Sequence, residues 1–215
     1  MGYRGRGAVQ KATMVAFVLI ALTSTPAGAT TTDTFSSPDL SYYVAGGTSG
    51  WFVDAGRLAH TYAPNAGFVE LVRQADAPRA EADITLSSGR SNVGLTVLWK
   101  DHKNHLWTKV EITPGNPNGL ISIGRRRGGT VTSLLVSTKG GLVRGATYHV
   151  SLGVDAGVAT ASVTGVSVAF SRTLAYRLTA QDLAAFGAGG YAGARAKYFF
   201  DEDDGGSRWD DLTVG

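Results

Sequence analysis

Hydrophobic and polar residues alternate along most of the chain after residue 32, in runs of about six to ten residues. In residues 79–86 the apolar members are Ala80, Ala82, Ile84 and Leu86, and the polar members are Arg79, Glu81, Asp83 and Thr85. A period of two is typical of a β-strand with one buried and one solvated face. The segment is therefore predicted to be a two-sided strand.

The same alternation, or an enrichment in Val, Thr and aromatic residues, predicts many further strands. They fall at residues 51–53, 56–61, 68–73, 92–100, 106–112, 120–126, 130–136, 147–154, 158–164, 166–171, 191–196, 197–201 and 209–214. Residues 101–105 are predicted to form the hairpin turn between the strands at 92–100 and 106–112. One helix is expected, starting at an N-cap Thr179 with Asp182 three residues later and stopping at Gly187.

More than ten short strands in one domain imply two packed sheets, because a single sheet of that size would leave an apolar face in water. The prediction is an all-β fold, a two-sheet antiparallel β-sandwich of jelly-roll type with one short helix. Residues 33–215 are expected to form this single domain, preceded by a short polar tail at 30–32.

The first 29 residues have the pattern of an export signal. Arg4, Arg6 and Lys11 precede an apolar run over residues 14–22, and residues 27–29 provide the small residues that a signal peptidase needs. The run is shorter than the roughly 20 residues that cross a bilayer. We therefore expect cleavage after Ala29, an extracellular protein and no membrane insertion of the mature chain; an uncleaved anchor is the alternative.

Removing this leader changes the charge balance. It contains three basic and no acidic residues, so residues 30–215 carry 17 basic and 17 acidic side chains, and the pI of about 9.2 for the whole chain belongs largely to the leader. A neutral chain does not favour nucleic acid as a partner. The absence of cysteine excludes disulfides and thiolate metal sites.

Several motifs follow one another in an order that points to a family. They are residues 33–35, Trp51 with 56–58, the strand, turn and strand of 97–107, then 120–125, 148–157, 198–201 and 209–214. This order resembles the concanavalin A-like lectin/glucanase superfamily, in particular its bacterial laminin-G-like and glucanase-like extracellular domains. The resemblance implies a concanavalin A-like sandwich whose first and last strands, 33–35 and 209–214, lie side by side.

Carbohydrate recognition needs an aromatic ring for the apolar face of a sugar and polar groups for its hydroxyls. The candidate residues are Trp107, His105, Asn104, Asp101 and Arg125, whereas Trp51, Trp99 and Trp209 are expected in the core. A lectin-like, non-catalytic carbohydrate-binding protein, with a cell-wall or other polysaccharide as partner, is the first hypothesis. A packing role for Trp107, and a solvated hairpin end for the basic run 125–127, are the alternatives.

A glycan-active hydrolase or lyase is a second hypothesis, and a structural or adhesive module is a third. The glucanase-like enzymes of the superfamily carry two carboxylates on one strand. The nearest pair here is Glu81 and Asp83, but Thr85 stands where their second glutamate is expected. A solvated strand face explains the pair without catalysis, and the four histidines lack the spacing of a zinc site.

An acidic tract near the C-terminus is the candidate metal site, and no other cofactor is expected. Its residues Asp201, Asp203 and Asp204 offer oxygen ligands of the kind that calcium prefers. The spacing does not fit an EF-hand. The alternative is a solvated acidic loop without metal.

Overall fold

A computed structural model describes residues 30–47, 50–60, 67–187, 190–197 and 206–215. The predicted export signal at 1–29 and the acidic tract at 201–204 lie outside these residues. The strands are β1 (Thr31–Asp33), β2 (Val44–Gly46), β3 (Trp51–Asp54), β4 (Arg57–His60), β5 (Phe68–Gln74), β6 (Arg79–Thr85), β7 (Ser91–Asp101), β8 (Asn104–Thr113), β9 (Asn116–Arg127), β10 (Thr130–Ser137), β11 (Thr147–Asp155), β12 (Val158–Gly165), β13 (Ser171–Arg177), β14 (Tyr191–Lys197) and β15 (Arg208–Val214), and the helix is α1 (Ala180–Phe186).

The strands form two antiparallel sheets, which confirms the predicted β-sandwich. The eight-stranded sheet has the order β13-β12-β11-β6-β15-β4-β3, with β1 also paired to β15. The seven-stranded sheet has the order β10-β9-β8-β7-β14-β5-β2. Sequence neighbours such as β7, β8 and β9 are joined by short turns, whereas β14 inserts between β7 and β5 from far along the chain.

The core lies between the sheets and follows the alternation of the sequence. In β6, Ala80, Ala82 and Ile84 are fully buried, as the period of two predicts. Trp209 of β15 is 1% exposed, and its Nε1 donates a hydrogen bond of 3.1 Å to the carbonyl of Gly94 in the opposite sheet. Its indole therefore combines apolar burial with a polar tie between the two layers.

The ends of the described domain pair with each other. Thr31 lies opposite Val214 and Asp33 opposite Leu212, so the first strand runs beside the last one, as the family resemblance implied. Thr31 and Thr32, which the sequence pattern set aside as a polar tail, belong to this strand. Pairing satisfies the backbone groups of both ends and protects them from fraying.

Helix α1 begins where the sequence predicts. The Asp182 amide donates to Thr179 Oγ1 at 3.2 Å, and the Thr179 amide donates to Asp182 Oδ2 at 3.2 Å, which forms a complete capping box. No helix in the described part of the chain is long and apolar enough to cross a membrane.

The predicted strand at 166–171 is wrong, and the strand lies at Ser171–Arg177 instead. Residues 166–170 form a tight turn in which the Gly165 amide donates to the Phe170 carbonyl at 2.8 Å. A Cβ at Gly165 would lie 1.9 Å from the Val168 carbonyl oxygen, so the turn requires glycine. Val168 and Phe170 are apolar because they pack on the core from this turn.

Candidate functional site

The seven-stranded sheet carries a polar cluster on its outer face, the face that points away from the core. Alternation puts its members on the opposite side of their strands from the core residues, and yet they are buried. We define the polar cluster as Glu70, Asn92, His105, Trp107, Glu111 and Arg195. A partly exposed rim surrounds it and consists of Phe68, His102, Lys109, Arg126 and Lys197.

Strand register brings the members of the cluster together from distant parts of the chain. Glu70 of β5 lies opposite Arg195 of β14, and Arg195 lies opposite Gly94 of β7. Gly94 in turn lies opposite Lys109 of β8. This row requires glycine at position 94, because an added Cβ would lie 2.1 Å from the Thr108 carbonyl oxygen.

Arg195 is the centre of the cluster. Its guanidinium carbon lies 3.9 Å from the centroid of the Phe68 ring and 4.4 Å from that of Trp107, and the two rings face each other at 6.4 Å. Both contacts are within cation–π range. The residue is 0% exposed, and burial lowers the pKa of its guanidinium to about 9, so it is charged at neutral pH.

Trp107 lies on the outer face, as the alternation predicts, but it is only 2% exposed. This burial fits the packing role that the sequence analysis gave as an alternative for Trp107. Its ring covers Gly124 of β9, where an added Cβ would lie 2.0 Å from the indole, while Phe68 and Arg195 cover it from outside. Trp107 supports the cluster from below, and any direct role in binding sugar stays a prediction.

Glu70, His102 and Arg126 form a chain of hydrogen bonds at the edge of the cluster. Arg126 Nη1 lies 2.6 Å from His102 Nε2, and His102 Nδ1 lies 2.7 Å from Glu70 Oε2. Because arginine can only donate, Nε2 must accept, and the histidine proton resides on Nδ1 and is donated to Glu70. His102 thereby connects a buried carboxyl group to a partly exposed guanidinium.

His105 approaches the same carboxyl group from inside. Its Nδ1 donates to the Asp101 carbonyl at 3.2 Å, and its Nε2 lies 3.4 Å from Glu70 Oε1. Burial lowers the pKa of His105 to about 3, so the ring is neutral. Burial likewise raises the pKa of Glu70, an effect that its contacts with His102 and Arg195 only partly offset.

Lys109 and Glu111 form a neutral pair beside these groups. Lys109 Nζ and Asn92 Nδ2 each donate to Glu111 Oε2 at 2.6 Å, and Asn116 Nδ2 donates to Oε1 at 3.2 Å. The carboxylate of Glu111 therefore has a cation and several hydrogen-bond donors as partners. The guanidinium nitrogens of Arg195, in contrast, have no hydrogen-bond partner among the described residues.

Asp101 and Asn104 shape the hairpin next to the cluster. Asp101 Oδ1 accepts from the Lys103 amide at 2.7 Å and from Asn104 Nδ2 at 3.0 Å, which confirms the predicted turn. Asn104 Oδ1 accepts from the Gly128 amide at 2.9 Å. Both side chains hold the turns that position His102 and His105, and a direct role of theirs in sugar binding stays a prediction.

Arg125 does not lie with these residues, which corrects the expected grouping. Strand β9 alternates, so Arg126 faces the polar cluster while Arg125 points to the core side and bonds Asp182 of α1 at 2.5 Å. Arg127 also contacts Asp182, at 3.2 Å. Burial acts to raise the pKa of Asp182, but hydrogen bonds from Thr179 and the charge of Arg125 outweigh it, and the pKa is lowered.

Trp99 is a further departure from the expected core. A bulge at Leu98, whose φ is 50°, redirects the end of β7. Trp99 then packs on Tyr191 at 5.7 Å and beside Gly46, on the outer face near Glu70. Trp51, in contrast, packs against the core and on Trp209, as predicted.

The outer face of the eight-stranded sheet holds the predicted carboxylate pair. Glu81 accepts from Arg79 Nη2 at 2.9 Å, and Asp83 lies 2.8 Å from His149 Nδ1. These groups are partly exposed and each has a partner of its own, which fits a solvated strand face. They lie on the opposite side of the sandwich from the polar cluster.

Among the described residues, His, Asp and Glu side chains form no group of three or more that could hold a metal ion. The candidate ligands Asp201, Asp203 and Asp204 fall outside those residues, so calcium binding there stays a prediction.

Comparison with known proteins identifies the fold. No protein-family model and no curated protein matches the sequence. The CBM2 module of evolved Dit from Lactobacillus casei BL23 phage J-1 superimposes with a TM-score of 0.63 at 7% identity, covering 86% of this chain and 95% of the module. The lectin UEA-II of Ulex europaeus, solved with galactose, gives 0.62 at 10% identity, covering 86% and 97%.

The exoplasmic/lumenal domain of VIP36, solved with Ca²⁺ and Man3GlcNAc, gives a TM-score of 0.58 at 12% identity, covering 84% of this chain and 86% of that one. The protein has the concanavalin A-like jelly-roll fold. At such identities the likeness concerns the architecture alone, so the function must be argued from this chain's own side chains.

Sequence reasoning missed Glu70 and Arg195, and from the basic run 125–127 it chose Arg125 where Arg126 faces the cluster. The two missed residues carried a signal: Glu70 interrupts the apolar run of β5, and Arg195 is a single charge among Ala and Gly residues in β14. A charged residue in a strand that is otherwise apolar or small indicates an outward position covered by other groups. Only the strand order, which puts β14 between β5 and β7, reveals what covers it.

Proposed function

We propose that the protein is an exported, non-catalytic carbohydrate-binding protein, and that it binds its ligand on the outer face of the seven-stranded sheet. One observation carries the proposal: eight buried side-chain nitrogen and oxygen atoms on this face have no hydrogen-bond partner in the described part of the chain. They belong to Glu70, Asn92, Trp99, Trp107, Ser122 and Arg195.

Unpartnered buried polar atoms are costly, each by about 1–3 kcal/mol, and folded proteins rarely retain them without a reason. A ligand rich in hydroxyl groups can supply donors and acceptors to such a set. The rim adds a partly exposed aromatic ring, Phe68, and the partly exposed His102, Lys109 and Arg126. Aromatic rings beside planar polar groups are the usual components of a sugar site.

The test is a glycan array with a matched pair of histidine variants. His102 is 32% exposed and lies 2.7 Å from Glu70, whereas His149, on the other sheet, is 48% exposed and lies 2.8 Å from Asp83. We expect His102→Ala to weaken binding about tenfold and His149→Ala to leave it unchanged. Absence of binding to every glycan, or equal loss in both variants, would contradict the proposal.

A glycan lyase or hydrolase is the second candidate. The observation that favours it is the contact of Glu70 with two histidines, because a buried carboxyl group with a raised pKa suits general acid–base chemistry. Release of unsaturated or reducing ends from a polysaccharide panel, abolished by Glu70→Gln and retained by Glu81→Gln, would favour catalysis over simple binding.

The proposed export and calcium binding are tested separately. N-terminal sequencing of the protein recovered from the culture medium is expected to start at Thr30. Calcium held by Asp201, Asp203 and Asp204 is expected to raise the melting temperature relative to a sample in EDTA, and an Asp203→Asn variant is expected to lose that difference.

A further inference from the structure

We propose that the ligand of this face is an acidic glycan, whose carboxylate or sulfate group binds the Arg195 guanidinium. The inference rests on the proposed carbohydrate-binding function and deepens it by giving the chemical class of the ligand. It follows from the contacts of Arg195, from the balance of donors and acceptors around it, and from the charge of the polar cluster and its rim.

The contacts of Arg195 are aromatic and leave its hydrogen-bonding groups unused. The guanidinium lies against Phe68 and Trp107, but Nε, Nη1 and Nη2 have no hydrogen-bond partner among the described residues. Its neighbour in register, Glu70, forms its hydrogen bond with His102 instead. An arginine that is 0% exposed and lacks hydrogen bonds within the described part of the chain is expensive to bury unless an anion binds its N–H groups.

The unpartnered atoms around Arg195 are mostly donors. Besides its three nitrogens, Trp107 Nε1 and Trp99 Nε1 can only donate, while Glu70 Oε1 and Asn92 Oδ1 accept. An excess of donors calls for a ligand group that only accepts. Carboxylate and sulfate groups do so, and their paired oxygens match the planar fork of arginine.

The net charge of the polar cluster and its rim also favours an acidic ligand. Lys109 and Glu111 neutralise each other at 2.6 Å. Glu70 is then the remaining acidic side chain of the polar cluster and rim as defined, and it feels the charges of the two cations Arg126 and Arg195. The cluster with its rim therefore carries a positive excess, although residues 30–215 together are neutral.

The approach to Arg195 leads past Phe68. This ring is partly exposed, covers the guanidinium at 3.9 Å and lies 5.1 Å from Lys197 Nζ. Displacement of the ring by a sugar would open the guanidinium and leave Phe68 free to contact the pyranose. Lys197 lies beside this entrance.

The experiment uses protein expressed from the full coding sequence and measures its affinity for acidic polysaccharides. Polygalacturonate, alginate and hyaluronan are each compared with their carboxyl-reduced forms, and dextran sulfate with dextran. We expect at least one acidic form to bind about tenfold or more tightly than its uncharged counterpart. The carboxylate and sulfate pairs distinguish the two sources of the anion.

Matched arginine variants separate a specific site from general charge attraction. Arg195→Met and Arg195→Lys are expected to lose about tenfold or more of the affinity for the acidic form, because neither retains the planar fork. Arg177→Met, at an exposed position of β13 on the other sheet, removes the same charge and is expected to change affinity less than twofold. If the Arg195→Met variant does not fold, the affinity of the Arg195→Lys variant provides the test.

The melting temperature of the Arg195→Met variant distinguishes a binding role from a purely structural one. If Arg195 served only to stabilise the fold, the variant would have a lower melting temperature than the wild type. Because the guanidinium nitrogens form no hydrogen bond among the described residues, replacing Arg195 by methionine is expected to keep or raise the melting temperature. A preference for neutral glycans, or undiminished acidic binding by both Arg195 variants, would overturn the acidic ligand and leave carbohydrate binding intact. A failure to bind any glycan would overturn the proposed function itself.

Discussion

The two outer faces of the sandwich follow the same alternating pattern and have opposite properties. On the eight-stranded sheet the outward residues are partly exposed and small or paired, such as Glu81 with Arg79 and Ser162 with Thr173. On the seven-stranded sheet the outward residues are large, charged and buried, such as Trp107 and Arg195. One face is an ordinary solvated surface, and the other is a second packed layer.

The difference shows what alternation encodes. A period of two tells which residues share a face, but the exposure of the outward face depends on what lies over it. Where water covers the face, polar residues need little from their neighbours. Where side chains cover it, each polar atom needs a partner, and the atoms without one mark the place for a ligand.

The largest expected difference between the faces concerns their aromatic rings. Trp107→Ala should cost about 3–5 kcal/mol of unfolding free energy, because it leaves a cavity over Gly124 and uncovers Arg195. Phe52→Ala, in β3 of the other sheet where the ring is 38% exposed, should cost about 1 kcal/mol or less. Urea denaturation of both variants gives the two losses of unfolding free energy. Similar losses would contradict the difference between the two faces.

The two faces should also differ in pH dependence. Burial holds the pKa of His105 at about 3, below the value near 6.5 in an unfolded chain. Between these values the unfolded chain binds a proton that the folded protein does not, so stability falls as the pH falls through this window, by about 1.4 kcal/mol per pH unit.

The His105→Gln variant should lose this component of the pH dependence, and Ser162→Ala on the solvated face should retain the slope of the wild type, because it removes no titratable group. Chemical denaturation at several pH values between about 6.5 and 3 gives the slopes. A His105→Gln slope equal to that of the wild type would mean that the histidine is open to solvent.

Two glycines in the outer faces offer a finer comparison. Gly124→Ala places a Cβ 2.0 Å from the Trp107 ring and should cost about 1–3 kcal/mol. Gly153→Ala in β11 places a Cβ no nearer than 3.9 Å to its neighbours and should be neutral or stabilising by up to about 1 kcal/mol. The melting temperatures of the two variants provide the measurement. Equal melting temperatures would show that the Trp107 indole is not packed on β9.

The smallest effect is expected for the solvated carboxylate. Glu81→Gln should change stability by no more than about 0.5 kcal/mol, since its pair with Arg79 is exposed. Glu111→Gln should cost about 1–3 kcal/mol because this buried carboxylate accepts bonds from Lys109 and Asn92. Denaturation midpoints provide the measurement, and a larger loss for Glu81 would reverse the assignment of the faces.

The sequence predicted the architecture better than the site, for a physical reason. Strand periodicity and turn residues are local, so the sandwich, the hairpin at 101–105 and the capped helix at Thr179 could be read directly. The alternation also placed Trp107 on the outward face of its strand, correctly. It could not predict that Arg125 points to Asp182 in the helix, because that contact joins residues 57 positions apart.

The sequence could not predict the contact between Arg195 and Glu70 for the same reason. Their neighbourhood depends on β14 entering the sheet between β5 and β7, and non-local pairing of this kind leaves only a weak trace in the sequence. A lone charged residue in a strand of apolar or small residues is that trace. It indicates a covered outward position without telling which groups cover it.

The central claim, that the outer face of the seven-stranded sheet binds carbohydrate, is tested most directly by NMR. Titration of isotopically labelled protein with its best glycan from the array should shift the backbone amides of Glu70 and Arg195 and the indole Nε1 resonance of Trp107. The amides of β11 and β12 should remain in place. Shifts confined to β11 and β12, or no shift with any glycan, would contradict the claim.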